Sequence, residues 1–328
     1  MNHYVIGVDG GGTKTEFVLL DFSSNVLGRS RGGSTNYQVI GGDNLKKELL
    51  DAFTMLMRTT NISSNKIDQI FLGLAGAGRK SDQEEIISLF SDTDFAGKIA
   101  VDSDAMVALA GAFGTGPGII IVSGTGAICF GKSNEGKIFR SGGWGYLLGD
   151  EGSGYFIGRE AIIAALKDLD GRAEKTNLRN CLENHFNLSS IDQIIPQIYQ
   201  NKVDRIAIAD IAPIVFEQAN QGDSIAEEII RRTGKELGIL ARAVAQRLNF
   251  ENDELKVALT GSIFKQKDML INEISKELYE ISWNIEISEP MFEPQYGAAL
   301  LALQKSGIEI NEMLLKNLQY SIKQSREM

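Results

Sequence analysis

Two short apolar runs, Tyr4–Val8 and Phe17–Leu20, enclose the polar stretch Asp9-Gly10-Gly11-Gly12-Thr13-Lys14-Thr15-Glu16. No other feature limits the fold as strongly. Both runs are β-branched or aromatic and too short for helices, so they predict a β-hairpin with Asp9 at the end of its first strand. Three consecutive glycines remove every Cβ from the turn and let an anion approach the backbone N–H groups. Thr13 and Lys14 add a hydroxyl and a positive charge where a phosphate would sit. Asp9 offers a carboxylate to Mg2+, directly or through water. A ligand-free glycine turn is the plain alternative, since hairpins commonly use glycine. Turn geometry alone, however, asks for neither the Asp before the glycines nor the Thr-Lys after them. The spacing excludes a G-x-x-x-x-G-K-[ST] loop and a G-x-G-x-x-G turn opening a helix, because the element that follows is a strand.

The pattern recurs. Gly114-Thr-Gly-Pro-Gly118 breaks the chain with turn formers. Beyond it, Ile119–Val122, Ser123-Gly124-Thr125-Gly126 and Ala127–Gly131 repeat the strand, glycine–hydroxyl turn and strand, about 115 residues after the first copy. A duplicated α/β architecture with a cleft between its halves would aim both loops at one phosphate chain. Between the copies, Asn25–Leu27 reads as a third strand, residues 43–59 as a helix with Asp43 as candidate N-cap, and Ile67–Leu74 as a buried strand. A helix near 81–91 follows, then a strand Ile99–Val101 ending at Asp102-Ser103-Asp104 and a helix Ala105–Phe113. After the second copy comes Gly142-Gly143-Trp144-Gly145…Gly149-Asp150-Glu151-Gly152. So many glycines imply close backbone approach to a partner. Trp144 has few flanking side chains to pack among, which argues against a core role. The remainder predicts a helix at 155–168, helices Ile206–Asn220 and Ser224–Leu248, and a strand Val257–Thr260 leading into Gly261-Ser262. A helix at 267–280, a strand Ile285–Ser288, a helix Gln295–Gln304 after Pro294 and an amphipathic tail complete the reading.

Composition narrows the function. The 328 residues suffice for two domains, and a net charge of −10 disfavours nucleic acid or an anionic membrane as partner. The only cysteines, Cys129 and Cys181, are far apart and form no C-x-x-C, so no disulfide framework or zinc site is implied and a reducing cytoplasm fits. No 18-residue apolar run exists. Neither His3 nor His185 stands within a motif, which leaves acid–base chemistry to carboxylates.

The motifs Asp9-Gly-Gly-Gly-Thr-Lys-Thr, Ser34-Thr-Asn36, Asp102-Ser-Asp104-Ala, Ser123-Gly-Thr-Gly126, Gly142-Gly-Trp-Gly145…Gly149-Asp-Glu-Gly152 and Leu259-Thr-Gly-Ser262 occur in the order found in N-acetylglucosamine kinases. Over nearly its whole length the chain resembles the BadF/BadG ATPase group of the actin, sugar kinase and Hsp70 superfamily. That resemblance implies an α/β fold of two actin-like (ribonuclease H-like) domains: residues 1–116, with a C-terminal helix 294–328 packing back on them, and residues 117–293 with a helical insertion. It also implies an ATP-dependent kinase that phosphorylates an amino sugar, foremost N-acetylglucosamine at its 6-hydroxyl, with ATP and Mg2+, in a cytoplasmic homodimer. Gly10, Gly11, Gly12, Thr13 and Lys14, with Gly124, Thr125 and Gly126, would hold the ATP phosphates. Ala209, Gly261 and Ser262, with Lys265 nearby, would lie by the nucleotide. Asn36, Gly143, Trp144, Gly145 and Asp150 would hold the sugar. Asp9 would face the metal, and Asp104 would contact the sugar as catalytic base.

Physical chemistry agrees with these roles. Phosphoryl transfer needs positioning and charge neutralisation above all. A carboxylate that accepts the proton of a weakly nucleophilic sugar hydroxyl is worth ~10²–10⁴-fold. Asp102 is the second candidate base, and capping of the 105–113 helix is the structural alternative for Asp104. The Ala75-Gly-Ala-Gly-Arg79 loop lacks serines that some mammalian relatives carry there, which keeps glucosamine and N-acetylmuramic acid open as substrates. An ATPase activator of a 2-hydroxyacyl-CoA dehydratase shares the group's fold. It would need cysteines for an iron–sulfur cluster, and a presumed strand and helix hold the two present. A non-catalytic sugar sensor is disfavoured by the intact Asp9, Lys14 and Asp104.

Overall fold

The opening hairpin forms as its pattern requires. Strand β1 (Tyr4–Gly10) pairs antiparallel with β2 (Thr15–Asp21), Asp9 opposite Glu16 and Gly10 opposite Thr15. This computed structural model describes residues 3–250, 254–282 and 284–327. The chain divides into two compact units: Met1–Gly116 together with Pro290–Met328, and Pro117–Glu289.

In the first unit, β3 (Val26–Gly32) extends the meander, while β4 (Ile67–Leu74) and β5 (Ile99–Ser103) join parallel on the other side, in the order β3-β2-β1-β4-β5. The β1 residues Ile6 and Val8 enter one apolar cluster with Leu45, Leu49 and Phe53. Val5 enters a second, with Val18, Leu20 and Leu300. Burial on both faces is what a near-continuous apolar strand encodes. The helix Pro294–Lys305 covers the second face, and a Cβ at Gly7 would strike the backbone of Gln295 and Ala299. In the same unit, a Cβ at Gly297 would strike Val107 O and Gly111 N of the helix Asp104–Phe113.

The second unit repeats this plan. Strands β6 (Gly118–Ser123), β7 (Ala127–Lys132) and β8 (Ile138–Gly142) form the meander, and β9 (Leu255–Thr260) and β10 (Ile285–Ser288) add parallel to β6, in the order β10-β9-β6-β7-β8. The repeat visible at the glycine turns therefore extends to the whole sheet topology. Its core gathers Ile119, Ile121, Cys129, Phe156, Leu237 and Val257.

Several boundaries differ from the sequence reading. β3 is longer than Asn25–Leu27; its exposed Leu27, Arg29 and Arg31 mark a solvated edge with little apolar signal. Asp43 does not cap its helix: Gly41 is the N-cap of Gly42–Thr60, and Asp43 lies in the first turn. The span 206–220 is two helices, Arg205–Ala209 and Ala212–Asn220. Pro213, with no N–H and a fixed φ, starts the second rather than continuing the first. Residues 262–269 form a kinked 3₁₀ segment before the helix Ile271–Leu278. Among the described residues, no helix is long and apolar enough to cross a membrane.

Candidate active site

In the first unit the glycine turn closes through Gly11 N–H donating to Lys14 O at 3.0 Å. Two neighbouring loops are tied to it. Thr35 N–H donates to Gly11 O at 3.2 Å, and Ala75 N–H donates to Gly10 O at 2.8 Å. The buried Thr15 and Thr35 hydroxyls lie 2.8 Å apart, and Thr15 Oγ1 also donates to Gly33 O. A side chain on Gly10 would run into Thr35 Oγ1, so the glycine lets these loops meet. A Cβ on Gly12 would meet nothing within 4 Å, leaving that side of the turn open. Lys14 Nζ is 3.1 Å from Glu16 Oε1, and Arg31 shares the same carboxylate. Asn36 Oδ1 accepts from Gln38 N–H and caps the short helix Tyr37–Ile40, while Gln38 Nε2 donates to Gly76 O. The Asn36 and Ala75–Gly76 loops are thus fixed to one another beside the glycine turn.

Asp9 is half-buried. Its carboxyl is pushed up from 3.8 to about 6, first by burial, then by the negative charge of Asp104; Lys14 works in the opposite direction. Asp104 sits at the corner where β5 becomes the helix Asp104–Phe113. It keeps access to solvent, yet surrounding protein raises its carboxyl above the ordinary value, opposed by the Ala105 N–H it accepts at 2.9 Å. The helix cap is Ser103, whose hydroxyl accepts from Met106 N–H. Asp104 occupies the first helical turn instead, so it carries no cap. Asp102, the second candidate, is tied to its neighbour, accepting from Ser103 N–H at 2.6 Å.

In the second unit the Ser123–Gly126 turn is the centre of a similar knot. Gly124 N–H donates to Gly126 O at 2.9 Å, Gly154 N–H donates to Gly124 O at 2.7 Å, and Ser123 Oγ donates to Gly152 O at 2.8 Å. Gly261 has φ +111° and stands against the Ser123 backbone, where a Cβ would collide with Ser123 O. Ser262 Oγ lies 3.7 Å from the Cβ position of Gly124, and the Ala209 carbonyl flanks Gly154. Ala209, Gly261, Ser262 and Gly124–Gly126 are therefore neighbours, although separated in sequence from Gly124 to Ser262. Asp150 is 5% exposed and holds the left-handed φ of +61°. This uncommon conformation for a non-glycine residue brings its carboxylate beside Gly126. Ser153 caps the helix Gly154–Leu169. Gly143 and Gly145 have φ +70° and +86° and leave Trp144 65% exposed, so it is no core residue. The Arg140 guanidinium lies 4.4 Å from its ring centroid.

The model of the BadF/BadG/BcrA/BcrD ATPase family matches residues 6–302. The chain belongs to this family. Among curated relatives, the N-acetylmuramic acid/N-acetylglucosamine kinase of Clostridium acetobutylicum is 34% identical over 299 residues, 91% of this chain and 98% of that protein. The N-acetyl-D-glucosamine kinase of Dictyostelium discoideum is 34% identical over 311 residues, 91% and 97% of the two chains. A solved Chromobacterium violaceum structure, provisionally named an N-acetylglucosamine kinase, has a TM-score of 0.70 at 27% identity and covers 92% of this chain and 99% of its own. The fold of this family member is that of the two-domain actin-like sugar kinases.

Two features of this family member escaped the sequence reading. Thr15 and Thr35 lock the first loop; Thr35 stood inside a quoted motif, but nothing marked its hydroxyl as buried. Arg140 lies on β8, an exposed edge strand with no apolar alternation to reveal it. Cys129 is buried in β7, where burial raises its thiol, and Cys181 lies in the helix Leu178–His185.

Proposed function

We propose that this protein is an ATP-dependent amino-sugar kinase acting foremost on N-acetylglucosamine at its 6-hydroxyl. The observation that carries the reading is the carboxylate pair of the first unit. Beside a glycine turn, burial and the charge of Asp104 raise the proton affinity of Asp9, and burial raises that of Asp104, a setting fitted to a metal-bound polyphosphate and an acceptor hydroxyl. The 34% identity to amino-sugar kinases supports the substrate class.

Gly10–Lys14 and Gly124–Gly126 present backbone N–H groups to the phosphates of ATP, and Ala209, Gly261 and Ser262 flank the nucleotide. Asn36, Gly143, Trp144, Gly145 and Asp150 hold the sugar. Among the described residues no group of three or more acidic, His or Cys side chains is placed to hold a metal ion by itself. A hard, oxygen-seeking Mg2+ would rest on the Asp9 carboxylate, with phosphate oxygens and water as its other ligands. The strained Asp9 carboxylate fits such a cation, which would neutralise charge on the transferred phosphoryl group.

Asp104 accepts the proton of the sugar hydroxyl as the bond from that oxygen to the γ-phosphorus forms. The bond from phosphorus to the β–γ bridging oxygen breaks, and ADP leaves. Raised proton affinity makes Asp104 a better acceptor than a solvated aspartate. The domain limits 1–116 and 117–293, a homodimer and a reducing cytoplasm belong to the same proposal; the free thiols of Cys129 and Cys181 suit the last.

A coupled ADP-release assay over N-acetylglucosamine, glucosamine, N-acetylmuramic acid, N-acetylmannosamine and glucose tests the reading. Turnover should be fastest with an N-acetylated glucosamine derivative. Release that is independent of sugar, or confined to glucose, refutes it.

A further inference from the structure

The geometry points to Arg140 as a specificity-determining residue that receives a carboxylate carried by the amino sugar, an inference that rests on the kinase reading above. Arg140 pairs with Phe130 across β7 and β8. Gly142 and Gly143, with φ +73° and +70°, then fold the chain back and bring the Trp144 indole under its guanidinium at 4.4 Å. A guanidinium stacked on a ring uses its flat face, and its N–H edge stays available for bidentate binding of an anion. No carboxylate among the described residues pairs with Arg140. Tyr146 lies on the same loop, and Arg205, at the start of the helix Arg205–Ala209, stands 5.7 Å from its ring and also lacks a carboxylate partner among the described residues. By contrast Arg159 and Arg232, stacked on Phe156, both engage Glu160. In a chain with 43 acidic and 33 basic residues, neither arginine over this loop's rings pairs with an acid among the described residues.

The two halves of the motif match two halves of a ligand. The exposed indole suits the C–H face of a pyranose, and the guanidinium edge suits an anion projecting beside it. N-acetylglucosamine carries no charge. Its 3-O-lactyl ether, N-acetylmuramic acid, has the same ring and free 6-hydroxyl and adds a carboxylate. Arg140 thereby widens the substrate range from the neutral to the acidic amino sugar.

The test is calorimetric titration of the full chain with each of these two sugars, for the wild type, Arg140→Gln and Arg140→Lys. Removing a hydrogen bond to a charged group should weaken N-acetylmuramic acid binding about 10- to 100-fold in Arg140→Gln. N-acetylglucosamine affinity should stay within about threefold. Arg140→Lys, which keeps the charge and loses the planar fork, should fall between. Equal losses for both sugars, or no loss for either, overturn the inference. A wild type that binds N-acetylglucosamine alone overturns it and leaves the kinase reading intact. A wild type that binds neither sugar overturns both.

Discussion

Asp9→Asn separates what Asp9 costs the fold from what it does for the site. The Asp9 carboxyl is raised from 3.8 to about 6 by burial and by Asp104. The folded state therefore binds this proton more tightly than the unfolded chain. Between pH 4 and 6 the folded form holds more protons, so stability falls as pH rises through that window. Above about pH 6 the group is ionised in both states and the whole penalty applies. A difference of about two pKa units at 1.36 kcal/mol each is about 3 kcal/mol. Solvent reaching the half-buried carboxylate trims this to ~1–3 kcal/mol. Asparagine has nearly the same shape and no charge. In metal-free buffer at pH 8, Asp9→Asn should raise the melting temperature by roughly 2–10 °C. At pH 4 it should gain almost nothing. Scanning calorimetry at both values reads the difference, and titration with Mg2+ and a non-hydrolysable ATP analogue should show binding lost in the same variant. A variant less stable than wild type at pH 8, or equally stabilised at pH 4 and 8, would refute the electrostatic argument.

Other perturbations address separate links. Asp104→Asn should lower kcat by at least ~100-fold with sugar KM within a few-fold; near-normal turnover in the ADP-release assay removes Asp104 as base. Trp144→Ala or Asp150→Ala should weaken sugar binding and spare nucleotide binding, as read by titration with each ligand, and a loss confined to ATP would reassign that loop. Gly297→Ala forces a Cβ into the backbone of Val107 and Gly111 and should cost about 1–3 kcal/mol in urea unfolding; an unchanged midpoint would mean the two helices separate freely.

The sequence exposed the parts of this fold that depend on strong local signals. β4 and β10 have the predicted ends because Ile67–Leu74 is a long apolar run and Ile285–Ser288 is bounded by polar turns. The glycine turns were legible for the same reason, since a run of glycines has few uses other than close approach. Edge strands were not. β3 was cut short and β8 missed, because half-solvated strands rich in Gly, Ser and Arg carry little apolar alternation. Caps turned on competition between adjacent groups. Ser103 rather than Asp104 is the N-cap, accepting from Met106 N–H, while Asp104 accepts only from its neighbour Ala105, and no one-dimensional pattern decides between such neighbours. The gathering of Ala209 and Gly261 around Gly124 is likewise a tertiary result, reached through motif order and not through spacing.

The first unit is discontinuous in sequence. Its β1–β2 face is closed by Pro294–Lys305, and the β2–β3 turn and β3 are tied to the helix Glu312–Glu327 through Ser24 Oγ donating to Leu314 O and Val26 N–H donating to Ser321 Oγ. During synthesis the ribosome therefore releases all of the second unit before the first can be completed. Until then Val5, Val18 and Leu20 lack the cover of the helix Pro294–Lys305. The earliest-made strands are the last to be sealed, so the nascent chain must keep an apolar sheet face from sticking to other chains for most of its translation.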